Sequence, residues 1–94
     1  MFNQQARWDR NLPQQDSNNL NEPIRVVAEF EKSKVLPRYF FWRKKLFRIK
    51  KVTYFWQERQ GRELLNFFSV ETPVGLYQIS FNNQSFSWSL NKII

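Results

Sequence analysis

The chain has 94 residues, which is enough for one small domain and too few for a second hydrophobic core. It contains no cysteine and no histidine, which excludes disulfides, thiolate chemistry, cysteine-based zinc sites and histidine-dependent catalysis. In contrast it has 10 Phe, 4 Trp and 3 Tyr, and its 15 basic residues exceed its 8 acidic ones to give a net charge of +7. This composition favours a binding protein over an enzyme.

The first 23 residues differ in composition from the rest of the chain. They are rich in Asn and Gln and show no periodic apolar pattern, which predicts a flexible tail over 1–23 and a single small domain over 24–94. Four apolar residues, Phe2, Trp8, Leu12 and Leu20, are scattered singly in the tail and could dock on the domain or on a partner. The tail lacks the apolar run of a secretory signal, and no stretch is long and apolar enough to span a membrane. We therefore expect a cytoplasmic protein with no membrane partner.

From residue 24 onward the apolar residues recur with a period of two, which is typical of strands that place one face on a core. In the segment 24–31 the even positions are apolar and three of the four odd ones are charged. The second predicted strand covers 36–42, and the third covers 45–57.

The third predicted strand changes phase in its middle. Its apolar residues fall first on odd and then on even positions: Phe47 and Ile49, followed by Val52, Tyr54 and Trp56. A β-bulge at Lys50-Lys51 would keep both sets inward and bend the strand sharply, as the closure of a small barrel requires.

Three further strands are predicted after a turn at 58–62, in which Gly61 suits a positive φ. They cover 64–71, 77–81 and 86–91, with turns at 72–75 and at 82–84. The complete pattern predicts an all-β fold, a small six-stranded antiparallel meander curled into a barrel-like sheet. A helix over 58–68 is the main alternative, because this segment contains fair helix formers.

The order of the large apolar residues in 24–94 resembles that of a known family. They occur in the order Pro37, Phe40, Trp42, Phe47, Ile49, Val52, Trp56, Phe67, Phe68, Val70, Leu76, Tyr77, Ile79, Trp88, Leu90 and Ile93. This order resembles a family of short bacterial proteins that is catalogued only as a domain of unknown function. The resemblance implies a small basic all-β protein rich in Trp and Arg, without assigned catalytic residues and sometimes encoded near error-prone DNA polymerase genes. The sequence departs from the family at Arg43-Lys44-Lys45, where the family usually carries a glycine.

The positive charge is concentrated in the middle third of the chain. Residues 32–62 contain eleven basic residues and one acidic residue, Glu58, whereas the segments on either side are close to neutral. The positive electrostatic field of so many basic residues can attract a polyanion. The candidate nucleic-acid-binding residues lie in the segment 38–51: Arg38, Tyr39, Phe41, Arg43, Lys44, Lys45, Arg48, Lys50 and Lys51.

Nucleic-acid binding needs cations that follow phosphates and aromatic faces on which bases stack. With a two-residue loop at 43–44, Tyr39 lies opposite Arg48 and Phe41 opposite Leu46, on the face away from Phe40. A three-residue loop would turn both rings towards Phe47 and Ile49 instead. The sequence leaves both registers open.

Several observations favour other interpretations. A domain this small needs most of its large apolar residues for its core, so Trp42, Trp56 and Trp88 are expected to be core residues. Lysines on a sheet edge can also serve only to prevent aggregation.

Catalysis is not expected, because no two carboxylates of the domain have a spacing that suggests a shared site. We predict no cofactor and no metal. The expected partner is nucleic acid, single-stranded or structured and not read by sequence, and the alternative is an adaptor that binds an acidic protein partner.

Overall fold

A computed structural model of the protein describes residues 19–94, so the predicted tail residues Phe2, Trp8 and Leu12 lie outside the described range. Seven strands account for most of this range, which contains no helix. The strands are β1 (Glu22–Glu31), β2 (Lys34–Trp42), β3 (Lys45–Arg48), β4 (Lys51–Gln60), β5 (Glu63–Thr72), β6 (Gly75–Asn82) and β7 (Ser87–Ile93). The all-β prediction is confirmed, and the helical alternative at 58–68 is wrong. Accordingly, no helix of the described residues is long and apolar enough to cross a membrane.

All seven strands belong to one antiparallel sheet in the order β3-β2-β1-β7-β6-β5-β4. The sheet curls because β3 and β4, its two edge strands, are consecutive in the chain. The Ile49 amide donates to the Arg38 carbonyl of β2 at 2.8 Å, and the next amide, that of Lys50, donates to the Glu71 carbonyl of β5 at 2.7 Å. The chain thus passes from one edge of the sheet to the other within two residues, which gives the barrel-like form.

The seventh strand arises where the sequence predicted a phase change. The predicted third strand is divided at Ile49 and Lys50 into β3 and β4, so the sharp bend is confirmed. The bulge, however, lies slightly later, since Val52 pairs with Val70 and Tyr54 pairs with Ser69, which leaves Thr53 as the extra residue.

This bulge changes the phase of β4 a second time, so two of its predicted inward residues face outward. Tyr54 is 72% exposed, and Trp56 stacks on the Phe67 ring at 5.2 Å instead of packing against the core. Phe55 points towards the inner face and contacts the Phe68 ring at a centroid distance of 5.1 Å, but it is 54% exposed and does not join the core.

The core contains eight buried apolar residues drawn from β2, β5, β6, β7 and the bend: Phe40, Ile49, Phe68, Val70, Tyr77, Ile79, Phe81 and Leu90. Trp42 and Trp88 are half-buried and pack against this cluster, as predicted. The fold also includes residues that were assigned to the tail. Leu20 packs on the core, and its amide donates to the Asn91 carbonyl at 2.7 Å.

The connections are short, and two of them differ from the predicted turns. Gly61 has the predicted positive φ of 62°, but the turn shortens to Gly61 and Arg62 because Gln60 still pairs with Glu63. Phe86 is not the first residue of the last strand; it lies in the β6–β7 turn with a φ of 55° and is 77% exposed. The predicted turn at 72–75 is confirmed.

Candidate nucleic-acid interface

The β2–β3 hairpin has the register that a two-residue loop produces, which we call the tight register. Tyr39 pairs with Arg48, and Phe41 pairs with Leu46, so the loop contains only Arg43 and Lys44. Both loop residues are left-handed, with φ values of 51° and 64°. This conformation costs a side-chain-bearing residue about 1–2 kcal/mol relative to the right-handed one, which explains why a glycine would suit this turn.

The tight register places Tyr39 and Phe41 on the outer face, opposite the fully buried Phe40. Each of the two rings is 37% exposed. Pairing with β1 and β3 completes two cross-strand rows, which we call the outer platform: Val27, Tyr39 and Arg48 in one row, and Arg25, Phe41 and Leu46 in the other.

Arg25 belongs to this surface, although it was not among the predicted binding residues. Its guanidinium carbon lies 5.4 Å from the centroid of the Phe41 ring, a cation–π contact. The alternation of β1 already predicted that Arg25 points outward. Only the pairing of Arg25 with Phe41 across two strands shows that it joins the hairpin aromatics.

The seven basic residues of the candidate set divide into two groups. Lys44, Lys45 and Arg48 form no ion pair with any carboxylate of residues 19–94. The other four contact carboxylates in exposed pairs: Arg38 with Glu29 at 2.9 Å, Arg43 with Glu22 at 3.1 Å, and Lys50 and Lys51 with Glu71 at 3.5 and 3.9 Å. Exposed pairs contribute only about 0–1 kcal/mol, so a phosphate can replace these carboxylates at low cost.

Glu22 anchors the tip of the hairpin to β1. Its carboxylate accepts a hydrogen bond from Trp42 Nε1 at 2.7 Å and a second from the Arg43 guanidinium at 3.1 Å. The same guanidinium lies 4.5 Å from the centroid of the Trp42 ring. The hydrogen bond from Trp42 and the contact with Arg43 both favour the ionised carboxylate, so they lower the pKa of Glu22 below its ordinary value.

This anchor predicts a pH dependence of stability. A carboxylate whose pKa is lowered by folding stabilises the protein above its unfolded pKa, and that stabilisation is lost as the pH falls through the folded pKa. We expect the melting temperature of the wild-type protein to fall between about pH 5 and 3 more steeply than that of Glu22→Gln, whose amide does not titrate. Circular dichroism melts of both proteins across this range measure the difference. Parallel curves would contradict the anchoring role.

A cavity of about 600 Å³ lies beside β3, at the same end of the sheet as the hairpin loop. We call it the β3 cavity; its lining residues are Trp42, Arg43, Lys45, Leu46, Phe47, Arg48, Pro73, Val74 and Tyr77. Three of these are candidate binding residues: Arg43, Lys45 and Arg48. The other wall comes from the β5–β6 turn and from β6, far away in the sequence, and no local pattern could have predicted that contribution.

No family model, no curated protein and no solved structure matches the chain. Within residues 19–94 there is no group of three or more acidic side chains that could hold a metal ion. The chemistry that the described surface offers is that of cations beside aromatic rings.

Proposed function

We propose that the protein is a non-catalytic basic β module that binds nucleic acid through the hairpin 38–51. One observation carries this proposal: the outer platform places two exposed aromatic rings directly beside cations. Tyr39 lies next to Arg48, and Phe41 lies next to Arg25. Bases stack on exposed rings with a free energy of about 1–3 kcal/mol each, while neighbouring cations bind the phosphates.

The same geometry supports single-stranded or structured nucleic acid and argues against sequence readout. A sheet face that carries Tyr39 and Phe41 offers ring faces, which accept any base. Readout of a duplex sequence instead requires a helix or a two-stranded ribbon in the major groove, with polar side chains at the base edges. The two arginines of the outer platform, Arg25 and Arg48, each lie beside an aromatic ring, where they suit the phosphates next to a stacked base.

The test is a salt titration. A labelled single-stranded oligonucleotide of about 12 nucleotides is titrated with the full chain at several salt concentrations, with anisotropy as the readout. Three to seven phosphate contacts predict that log K falls with log[salt] with a slope of about −2 to −5. Absence of binding to single-stranded and double-stranded oligonucleotides at low salt would overturn the proposal.

The second candidate function is that of an adaptor for an acidic protein. It is favoured by Val27 and Leu46, apolar residues of the outer platform that are more than half exposed and that a protein partner could cover. The two functions differ in a capture experiment. A protein complex survives nuclease and moderate salt, whereas capture through nucleic acid does not.

Two further parts of the proposal rest on the sequence. We propose a cytoplasmic location. We also propose membership of the small basic all-β family that the order of the large apolar residues in 24–94 resembles. The family resemblance agrees with the all-β fold of the described residues, and neither part is needed for the binding mode.

A further inference from the structure

The β3 cavity combines a size and a position that suit a small ligand. Because β3 is an edge strand, its outer edge is unpaired, and the cavity separates it from the β5–β6 turn. A volume of about 600 Å³ lies within the range of ordinary ligand cavities, about 300–1,000 Å³. A second cavity, of about 290 Å³ between β2 and β4, is lined mainly by apolar residues and has only one cation, Lys34.

The walls of the β3 cavity carry aromatic rings. Phe47 stacks one face on the buried Phe40 at a centroid distance of 4.8 Å and an interplanar angle of 6°, and Tyr77 meets Phe47 edge to face at 5.4 Å. Phe47 is thereby held in one orientation while it lines the cavity. A planar ligand would therefore meet a rigid aromatic wall, which reduces the entropy lost on binding.

The rim of the cavity carries positive charge. Lys45 and Arg48 line it and pair with no carboxylate of residues 19–94. Arg43 lines it as well, and its charge is balanced by Glu22. The rim thus keeps two uncompensated cations beside an aromatic wall, a combination that fits an anion attached to a flat ring.

We propose that the β3 cavity receives one unpaired nucleotide of the bound strand. This inference rests on the proposed function and specifies the form of nucleic acid that is bound. The base enters between Phe47 and the β5–β6 turn, and its phosphate contacts Lys45 and Arg48. A base inside a duplex is stacked on both faces and cannot enter, so the cavity selects single strands and unpaired ends over blunt duplex.

Val74→Trp tests this inference without removing a charge or a core residue. Val74 is 71% exposed in the β5–β6 turn and lines the cavity, so an indole at this position would occupy the space of the base. We expect about fivefold or more loss of affinity for a single-stranded oligonucleotide of about 12 nucleotides, which corresponds to the loss of one stacked base. Affinity for a blunt duplex should not change. Gln84→Trp, which places the same indole in the exposed β6–β7 turn outside the cavity, is the matched control and should bind the single strand like wild type.

The outcomes distinguish the cavity from the proposed function. If Val74→Trp, shown to be folded by its melting curve, binds the single strand like wild type, the cavity inference is wrong although nucleic-acid binding stands. The inference is also wrong if single-strand and blunt-duplex affinities fall equally. If the wild-type protein binds no oligonucleotide at low salt, both the inference and the proposed function fail.

Discussion

Replacement of Lys44, Lys45 and Arg48 by glutamate is expected to lower the affinity for a single-stranded oligonucleotide by about 100-fold or more. These three residues form no ion pair within residues 19–94, so they are the cations of the hairpin 38–51 that are most available to phosphates. Each lost phosphate contact removes about 0.7 from the slope of log K against log[salt], so the slope should fall in magnitude by about 2. Anisotropy titrations at several salt concentrations measure the affinity and the slope together.

Lys50 is omitted from this variant for a structural reason. Its ammonium lies 3.5 Å from the Glu71 carboxylate, so a glutamate in its place would bring two carboxylates together. The resulting repulsion would destabilise the bend that joins β3 to β4, and a loss of binding could then reflect a loss of fold.

A matched control is available at the opposite end of the sheet. Lys32, Lys34 and Arg59 are exposed, lie outside the hairpin and form no ion pair with the described carboxylates. Their replacement by glutamate changes the net charge by the same amount, so binding should persist with only a small loss. Equal losses in the two triple variants would show that the total charge matters and the hairpin does not.

The hairpin was the part of the site that could be predicted from the sequence. Successive side chains of a strand point to opposite faces, so Tyr39 and Phe41 were placed on one face of β2 and Phe40 on the other. The pairing register of β2 with β3 then depended on the loop length alone. The sequence left that length open because neither Arg43 nor Lys44 is a typical residue for a left-handed turn. Pairing along the whole of β2 and β3 fixes the tight loop in the structure.

The parts that could not be predicted depend on contacts between distant segments. The bulge at Thr53 reverses the faces of Tyr54 and Trp56, and a hydrophobic pattern does not show where an unpaired residue falls in a ladder. The wall of the β3 cavity contributed by Pro73 and Val74 likewise exists only because the sheet curls.

The charge count also overstated the number of available cations. Glu22, Glu29 and Glu71 lie in segments that looked neutral, yet they pair with four of the seven basic candidate residues. The concentration of charge in residues 32–62 is therefore partly balanced by neighbouring strands. Among the candidate residues, the cations that form no ion pair within residues 19–94 are Lys44, Lys45 and Arg48, at the tip of the hairpin and along β3, and two of them line the β3 cavity.

Adjacent residues of β2 should have opposite effects on folding and binding. Phe40 is fully buried, stacks on Phe47 and meets Tyr77 edge to face at 5.5 Å. Phe40→Ala should therefore lower the free energy of unfolding by about 3–5 kcal/mol. Since small domains are stabilised by only about 5–15 kcal/mol in total, much of this variant should be unfolded at physiological temperature. Urea unfolding followed by circular dichroism measures the loss.

The double variant Tyr39→Ala and Phe41→Ala should remain folded and lose binding. Cross-strand aromatic contacts on an exposed face contribute about 0.2–1 kcal/mol each to stability. Stacking of a base on each ring contributes about 1–3 kcal/mol to binding, so the affinity should fall about 25-fold or more.

Tyr54→Ala is the matched control for this double variant, because Tyr54 is a more exposed ring on the outer face of β4, away from the hairpin. It should bind like wild type. If instead the double variant kept wild-type affinity while the glutamate variant at 44, 45 and 48 lost it, the hairpin would bind phosphates alone. Stacking on the outer platform would then have no part in recognition, and only the rings of the β3 cavity would remain to contact a base.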